Sequence, residues 1–177
     1  MVQQGQFRGC KVAVKRLHSL ILSNHNRGLF EREITIASRC RHPNLLQLIG
    51  ATIDRNNLLI VMELMEKSLR NLLEKRDKDD RCLSKSQILI IAIDAAKALN
   101  YLHLCQPSAI IHRDVSSGNV LLWKGSKYWR AKVSDYGTAN IVRPSMTMCP
   151  GAAIYSAPEA TTSTQTPKVF KKPFTIL

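Results

Sequence analysis

The chain is short of acidic residues. It has 13 Asp and Glu against 26 Lys and Arg, giving a formal net charge of +13, so acidic partners such as nucleic acid, phosphorylated ligands or anionic lipid have to be considered. The basic residues are scattered, with only short clusters at 124–130 and 168–172 and no zinc-finger spacing. We therefore interpret the excess as a solvated basic surface and expect no nucleic-acid partner.

The chain also lacks paired cysteines and long apolar runs. Its five cysteines are odd in number and form no C-x-x-C pair, which argues against a disulfide framework and a structural zinc site and favours reduced thiols in the cytoplasm. The first residues lack the apolar core of a signal peptide, and position 2 is not the glycine needed for myristoylation. The most apolar stretch, 88–93, is followed by Asp94 and Lys97 and is too short to cross a bilayer.

What remains is the composition of a folded chain. Of its 177 residues, 45% are hydrophobic and 22% charged, with 7 Pro and 8 Gly, which excludes collagenous, disordered and membrane-spanning classes. This length holds one domain, or the larger part of one.

The first half predicts a small sheet with one helix. A β-branched strand begins at Val12, and the polar stretch 19–28 is predicted to be a loop. In 29–40, Phe30, Ile34 and Ala37 recur at helical spacing. Two apolar runs, 45–53 and 58–62, flank polar residues in a pattern typical of a hairpin.

The second half predicts helices and short strands. Residues 68–75 form a short amphipathic helix, and Ser84-x-x-Gln87 is a capping box that opens a longer one. The stripe of that long helix contains Ile88, Ile91, Ala92, Ala95, Leu99 and Leu102. Short strands follow at 110–111, 120–123 and 131–133. This order predicts an α+β fold with a sheet-rich lobe ahead of a helical lobe.

The segment after the long helix carries the first chemical signal. His112-Arg113-Asp114-Val115-Ser116-Ser117-Gly118-Asn119 places an acid and an amide five residues apart. Phosphoryl transfer needs a carboxylate that accepts a hydroxyl proton and oxygen ligands that hold Mg²⁺, and Asp114 and Asn119 suit these tasks. For this pair taken alone, an Asx-turn that caps a strand is the better interpretation.

Further motifs appear in a fixed order around this loop. Val12-Ala13-Val14-Lys15 lies upstream, and Asp135-Tyr136-Gly137 and Ala157-Pro158-Glu159 lie downstream. Over about residues 5–160 the sequence resembles the eukaryotic protein-kinase catalytic domain, whose motifs are V-A-x-K, a helix Glu, H-R-D-x-x-x-x-N, D-F-G and A-P-E. The resemblance implies a bilobal kinase-like fold, an ATP-dependent protein kinase, and ATP with Mg²⁺ as cofactors.

The resemblance also implies roles for the polar residues. Lys15 resembles the lysine that contacts the α- and β-phosphates, and Glu33 its partner on the helix, with Glu31 as the alternative. Asp114 would be the catalytic base. Asn119 and Asp135 would hold the metal.

An adenine site is implied as well. Residues 60–65 resemble the strand that runs into the hinge, where main-chain groups of Glu63 and Met65 would pair with adenine. Met62 would be the gatekeeper, with Ala13 above the ring and Leu121 below it. A buried strand with an exposed edge explains the same apolar run without a nucleotide.

The remaining motif residues would belong to a regulatory segment at 135–159. Arg113 would bind a phosphorylated residue of this segment, Ser145 and Thr147 are candidate phosphorylation sites, and His112 would be a packed structural histidine.

Three departures from the family pattern concern aromatic packing and substrate class. Tyr136 replaces the usual Phe, Ala152 stands where serine/threonine kinases carry Thr, and Ser116 matches neither serine/threonine nor tyrosine kinases. The stretches HPNLLQLIGA and IVMELM look most like the tyrosine-kinase-like group, so both Ser/Thr and Tyr remain possible acceptors in a protein substrate.

The resemblance is incomplete at both ends. The family's glycine-rich loop would lie just before residue 1, because residues 5–9 resemble the end of the second strand rather than G-x-G-x-x-G, and only eighteen residues follow Glu159. We expect a partial kinase domain at 1–160, without that loop or the lower lobe, and a divergent, disordered tail at 161–177. On this basis the isolated chain is expected to be poorly soluble or inactive, and a non-catalytic kinase-like binding or scaffold module is the alternative function.

Overall fold

The fold is known from a computed structural model that describes residues 2–16, 24–52, 58–74, 83–135 and 139–141. The elements of the amino-terminal part are β1 (Val2–Phe7), β2 (Cys10–Arg16), α1 (Asn24–Arg39), β3 (Leu48–Thr52) and β4 (Leu59–Glu63). They are followed by β5 (Lys67–Ser68), α2 (Leu69–Glu74), α3 (Lys85–His103), β6 (Ile110–Ile111), β7 (Val120–Lys124), β8 (Trp129–Val133) and β9 (Asn140–Ile141). The expected order, a sheet with one helix ahead of helices with short strands, is confirmed.

The first four strands form one antiparallel sheet in the order β1-β2-β4-β3. The predicted strand at Val12 and the predicted hairpin are both present, with a register shift between Leu48 and Gly50. Val12 and Ile60 are each 1% exposed, so one face of this sheet is buried, as alternation along a strand requires. Within the sheet, Ala13 pairs with Met62 and Lys15 with Ile60.

Helix α1 lies against this sheet. Phe30 is buried with Leu58 and Ile60, and Ile36 and Cys40 enter a second cluster with α3 and β8. The helix begins at Asn24, so the prediction of a loop through Gly28 is wrong for its last five residues. A glycine in a helix costs only about 1 kcal/mol relative to alanine, which the packing of the following turns offsets.

Helix α3 starts where the capping motif predicts. Ser84 is the N-cap, and its hydroxyl accepts a hydrogen bond of 3.2 Å from the Gln87 N–H. The reciprocal half of the capping box is absent from the described contacts, because the Gln87 amide instead makes two 2.9 Å hydrogen bonds with the main chain of Trp129. Gln87 therefore joins α3 to β8.

The apolar stripe predicted for α3 is partly wrong. Its buried residues are Gln87, Ile91, Asp94, Ala98 and Leu102, whereas Ile88 is 53% exposed and Ala92 is also exposed. The buried face of the helix includes the polar side chains of Gln87 and Asp94, which hydrogen-bond to β8. Hydrophobic periodicity counts such residues as solvent-facing and so misplaces the face.

Strand β8 is central to the second part of the chain. It pairs with β7, and the main chain of Val133 exchanges hydrogen bonds of 2.9 Å with Asn44 and Leu46 in the segment before β3. Leu45, Leu102 and Val133 are almost fully buried in one cluster that also contains Ile36 of α1. Two residues beyond Val133 lies Asp135, so this packing fixes where that carboxylate can be.

No helix among the described residues is long and apolar enough to cross a membrane. The predictions for Tyr136, Ser145, Thr147, Ala152, the A-P-E motif and the tail at 161–177 fall outside the described residues.

The buried carboxylate of Asp94 joins α3 to β8. It accepts two 2.8 Å hydrogen bonds from the Arg130 guanidinium and one of 3.0 Å from the Ala131 N–H. Burial opposes ionisation, but these hydrogen bonds outweigh it, so the pKa of Asp94 lies below its ordinary value of 3.8. Ionised Asp94 therefore stabilises the fold.

We expect Asp94→Asn to lower the free energy of unfolding by about 2 kcal/mol at pH 7, because it weakens hydrogen bonds to a charged group. The stabilisation is complete above the unfolded-state pKa of Asp94 and is lost as pH falls through the lower folded-state pKa. The difference between the unaltered chain and the variant should therefore shrink at pH 3, as measured by urea unfolding.

The matched control is Glu31→Gln, which removes an exposed carboxylate that pairs with Arg27 four residues earlier. It should change stability by less than about 0.5 kcal/mol. Equal effects of the two substitutions would contradict the role given to Asp94.

Candidate active site

The site centres on an ion pair between Lys15 of β2 and Glu33 of α1. The Lys15 Nζ lies 2.8 Å from Glu33 Oε1 and 2.9 Å from Oε2, so the carboxylate accepts from the ammonium with both oxygens. The Glu33 side chain is only 8% exposed and that of Lys15 25%. The pair joins the sheet to the helix across 18 residues of sequence.

Burial affects the two charges differently. Desolvation alone would lower the pKa of Lys15, but the neighbouring carboxylates of Glu33 and Asp135 outweigh it and the pKa is raised. Burial raises the pKa of Glu33, and Lys15 offsets this only in part. The lysine is therefore firmly cationic, as a group that binds phosphate must be.

The structure distinguishes the two glutamates offered by the sequence. Glu33 shares the buried face of α1 with Phe30 and Ala37, three residues before it and four after. Glu31 is exposed and pairs with Arg27 at 3.0 Å. Only Glu33 lies against Lys15.

Asp135 completes the cluster from the far end of the sequence. Its Oδ1 lies 3.4 Å from the Lys15 Nζ, and its carboxylate is 44% exposed. Its backbone φ is +67°, a left-handed value that costs a non-glycine residue of the order of 1–3 kcal/mol and is concentrated at functional sites. Arg113 has a similar φ of +63°, and sequence patterns gave no sign of either.

Asp114 and Asn119 form a second polar group beside this cluster. The Asn119 Nδ2 donates to the Asp114 main-chain oxygen at 2.8 Å and to its Oδ2 at 2.9 Å. The Asn119 main-chain oxygen accepts from the N–H and the hydroxyl of Ser134, at 2.9 and 3.0 Å. Because Ser134 precedes Asp135, the loop of Asp114 is fixed to the segment after β8 that carries Asp135.

His112 lies beneath this loop as a buried structural residue. It is 1% exposed; its Nδ1 accepts from the Asp114 N–H at 3.4 Å, and its Nε2 lies 2.9 Å from the Ser134 main-chain oxygen. Burial lowers its pKa, and the bond to Ser134 and nearby carboxylates offset this only in part. These contacts fit one neutral tautomer with the proton on Nε2.

The residues expected around adenine come from two sheets. Ala13 and Met62 are neighbours on β2 and β4, and Met62 borders a small cavity of about 10 Å³ that Glu33 and Asp135 also line. Glu63 and Met65 lie at and just after the end of β4. Leu121 is half-buried on β7 of the second sheet, opposite Lys132.

The sequence motifs give a role to the main chain of Glu63 but none to its side chain. Its carboxylate accepts from Lys132 of β8 at 2.6 and 2.7 Å and from the Gln47 N–H at 2.6 Å. It thus joins the end of β4 to the strand that leads to Asp135. No local pattern signals this contact, because 69 residues separate the pair.

Among the described residues, no group of three or more His, Cys, Asp or Glu side chains could hold a metal by itself. Asp135 and Asn119 nevertheless offer a carboxylate and an amide oxygen, and the Asn119 Nδ2 is the atom already committed to Asp114. Mg²⁺ typically takes one or two carboxylates and completes its shell with water and phosphate oxygens. The donor set therefore fits Mg²⁺ bound together with a polyphosphate.

Comparison with known proteins gives the same family. The sequence model described as the protein kinase domain matches residues 3–170. The chain is 35% identical over 162 residues to "Probable serine/threonine-protein kinase SIS8" of Arabidopsis thaliana. The aligned region covers 89% of this chain and 15% of that protein.

Two further Arabidopsis thaliana relatives are receptor-like. "Receptor-like kinase TMK2" is 34% identical over 177 residues, or 96% of this chain and 20% of that protein. "MDIS1-interacting receptor like kinase 2" is 37% identical over 156 residues, or 84% and 14%. The chain thus spans a fifth or less of the length of these three relatives. The family match over nearly the whole sequence establishes that this chain belongs to the protein kinase domain family.

Proposed function

We propose that the chain carries the catalytic residues of an ATP-dependent protein kinase that transfers the γ-phosphate to a Ser or Thr hydroxyl of a protein. The observation that carries the proposal is the meeting of Lys15, Glu33 and Asp135 within 3.4 Å, although they come from three distant parts of the sequence. A half-buried lysine that contacts two carboxylates keeps its charge and a fixed position, from which it can orient an anionic ligand.

In this proposal Lys15 binds the α- and β-phosphates and Glu33 holds its ammonium in place. Lys15 has four rotatable bonds, so an unheld ammonium would sample many positions, and the two-oxygen contact with Glu33 removes most of that freedom. The 3.4 Å contact with Asp135 is longer than the two contacts with Glu33 and is the one that phosphate oxygens would replace.

Asp114 is the proposed catalytic base. Asn119 occupies its Oδ2 and its main-chain oxygen, which fixes the carboxylate and leaves Oδ1 to orient a substrate hydroxyl and accept its proton. Asn119 and Asp135 are the proposed ligands of Mg²⁺, which when bound neutralises phosphate charge. His112 acts by position only, since its nitrogens contact main-chain groups.

The adenine site is proposed to lie between Ala13 and Leu121, with Met62 as gatekeeper and main-chain groups of Glu63 and Met65 as hydrogen-bond partners. The ion pair of Glu63 with Lys132 supports this, because it holds the segment after β4 against β8. A segment held in this way presents its main chain in one position.

Finer assignments rest on the sequence and the names of relatives. We propose a kinase domain at 1–160 with a divergent tail at 161–177, although the family match runs to residue 170. The names of relatives that include "serine/threonine-protein kinase" support Ser/Thr acceptors, whereas the proposal of the tyrosine-kinase-like group rests on the stretches HPNLLQLIGA and IVMELM alone. The three described cysteines are free thiols, which supports a cytoplasmic location.

The Lys15–Glu33 pair is tested by nucleotide binding to the chain. Glu33→Gln should weaken binding of a non-hydrolysable ATP analogue about tenfold, because a charge-assisted hydrogen bond is lost. Glu31→Gln, the same change two residues away on the exposed face, should leave the affinity unchanged. Isothermal titration calorimetry measures both, and equal affinities for the two variants would refute the role of Glu33.

The metal ligands are tested by the Mg²⁺ dependence of the same binding. Mg²⁺ should raise the affinity of the unaltered chain for the analogue, and Asp135→Asn should reduce that gain about tenfold or more. An Asp135→Asn chain that keeps the full Mg²⁺ effect would show that the metal is held elsewhere.

The base is tested by phosphoryl transfer, measured in the full-length protein that carries this sequence. Asp114→Asn should lower the rate of ³²P transfer from ATP about 10²- to 10⁴-fold while leaving nucleotide affinity unchanged. Transfer that survives the substitution would exclude Asp114 as the base. ATP binding without any transfer by the unaltered protein would favour the non-catalytic module instead.

A further inference from the structure

A cavity of about 610 Å³ lies between helices α1 and α3. Its size is that of a site for one small molecule, for which 300–1,000 Å³ is typical. None of its described lining residues belongs to the set of Lys15, Glu33, Asp114, Asn119 and Asp135. It is therefore separate from the Lys15–Glu33 cluster and lies at the carboxyl-terminal end of α1.

The floor of this cavity is apolar and uncharged. Ile36, Cys40 and Ile110 line it and are 2%, 3% and 6% exposed. Burial raises the pKa of the Cys40 thiol to about 12, with a contribution from the neighbouring Cys105. Cys105, which also lines the cavity, has its pKa raised by burial too. The thiols stay protonated at neutral pH and behave as small apolar groups.

One wall is aromatic and held in place. The Tyr101 ring lies 5.2 Å from that of His42, and the Tyr101 hydroxyl accepts a hydrogen bond of 3.1 Å from the Arg41 N–H. A wall fixed by both contacts needs little reordering when a ligand arrives, and this favours binding.

The rim of the cavity is positive. Arg39 and Lys97 line it from α1 and α3, and both are exposed. No Asp or Glu occurs among the described lining residues. The pKa of His42, which also lines the cavity, is lowered first by burial and then by the charge of Lys97. A cation would be repelled from this cavity, whereas an anion would be drawn to its rim.

We propose that this cavity binds a small amphipathic anion, an aliphatic or aromatic carboxylate, whose apolar part lies on the floor of Ile36, Cys40 and Ile110 and whose carboxylate meets Arg39 and Lys97. The floor supplies affinity by removing apolar surface from water. The two cations from different helices select the charge of the ligand. The site is independent of phosphoryl transfer, so its test is decided separately from that of the kinase activity.

The test uses octanoate and octylammonium as probes of equal chain length and opposite charge. Calorimetry on the full chain should show one octanoate per chain, bound at least about tenfold more tightly than octylammonium. Equal affinities for the two probes, or no binding of octanoate, would overturn the proposal.

Paired charge variants locate the site. Arg39→Gln with Lys97→Gln should weaken octanoate binding about tenfold. Arg32→Gln with Lys85→Gln removes the same charge from exposed positions of the same two helices outside the lining, and should leave binding unchanged. Equal losses in the two double variants would mean that octanoate responds only to net charge.

A cavity-filling variant tests the floor. Cys105→Phe should abolish octanoate binding by occupying the space, while circular dichroism and urea unfolding confirm that the variant is folded. Retained binding in a folded Cys105→Phe chain would overturn the proposal. Should that variant fail to fold, the paired charge variants, which alter exposed side chains only, decide the question.

Discussion

The burial of one carboxylate, that of Glu33, is the constraint on which the site depends. An ionised glutamate that is 8% exposed in its side chain has lost most of its hydration and is tolerable only beside a cation. Lys15 provides that cation and thereby fixes α1 against the first sheet. The pair is a weak source of stability, because desolvation offsets much of the attraction. Its value is positional, since it holds an ammonium beside Asp135.

Strand β8 supplies the second half of the geometry. Polar side chains buried on α3 bind its main chain, the segment before β3 pairs with Val133, and Lys132 reaches back to Glu63 at the end of β4. Contacts from three parts of the chain therefore converge on the strand that leads to Asp135. A carboxylate carried by so constrained a strand can keep a backbone φ of +67°, a conformation that a free loop would relax.

The Lys15–Glu33 pair and the cavity near Cys40 both adjoin α1. Glu33 lies on the helix face that meets β2, and Cys40 lies two turns later in the cluster formed with α3. The helix is thus held by an ion pair at Glu33 and by apolar packing in its last turns. Neighbouring positions of the helix differ in chemistry, because Glu33 faces charged groups whereas Ile36 faces neutral thiols and aliphatic carbons.

Elements specified by interactions between neighbouring residues were predicted correctly, whereas features that depend on contacts between distant residues were not. The β2 strand, the β3–β4 hairpin, α2, the start of α3 and the three short strands followed from local patterns, because alternation, turn residues and an N-cap act within a few residues. The buried face of α3 was misplaced because Gln87 and Asp94 point inwards to partners about 40 residues away. The start of α1 was also missed, since Gly28 and its polar neighbours are weak helix formers that packing overrides.

The sequence by itself determined the family and the candidate polar residues, because the motifs place distinctive residue types at characteristic spacings. It left two glutamates, Glu33 and Glu31, as possible partners of Lys15, and the burial of Glu33 beside Phe30 and Ala37 decided between them. Only the tertiary structure decided that Lys15 contacts both Glu33 and Asp135, that Glu63 binds Lys132, and that residues of α1 and α3 line a common cavity. These contacts join residues up to 120 positions apart, and side-chain distances across a fold are set by packing rather than by local pattern.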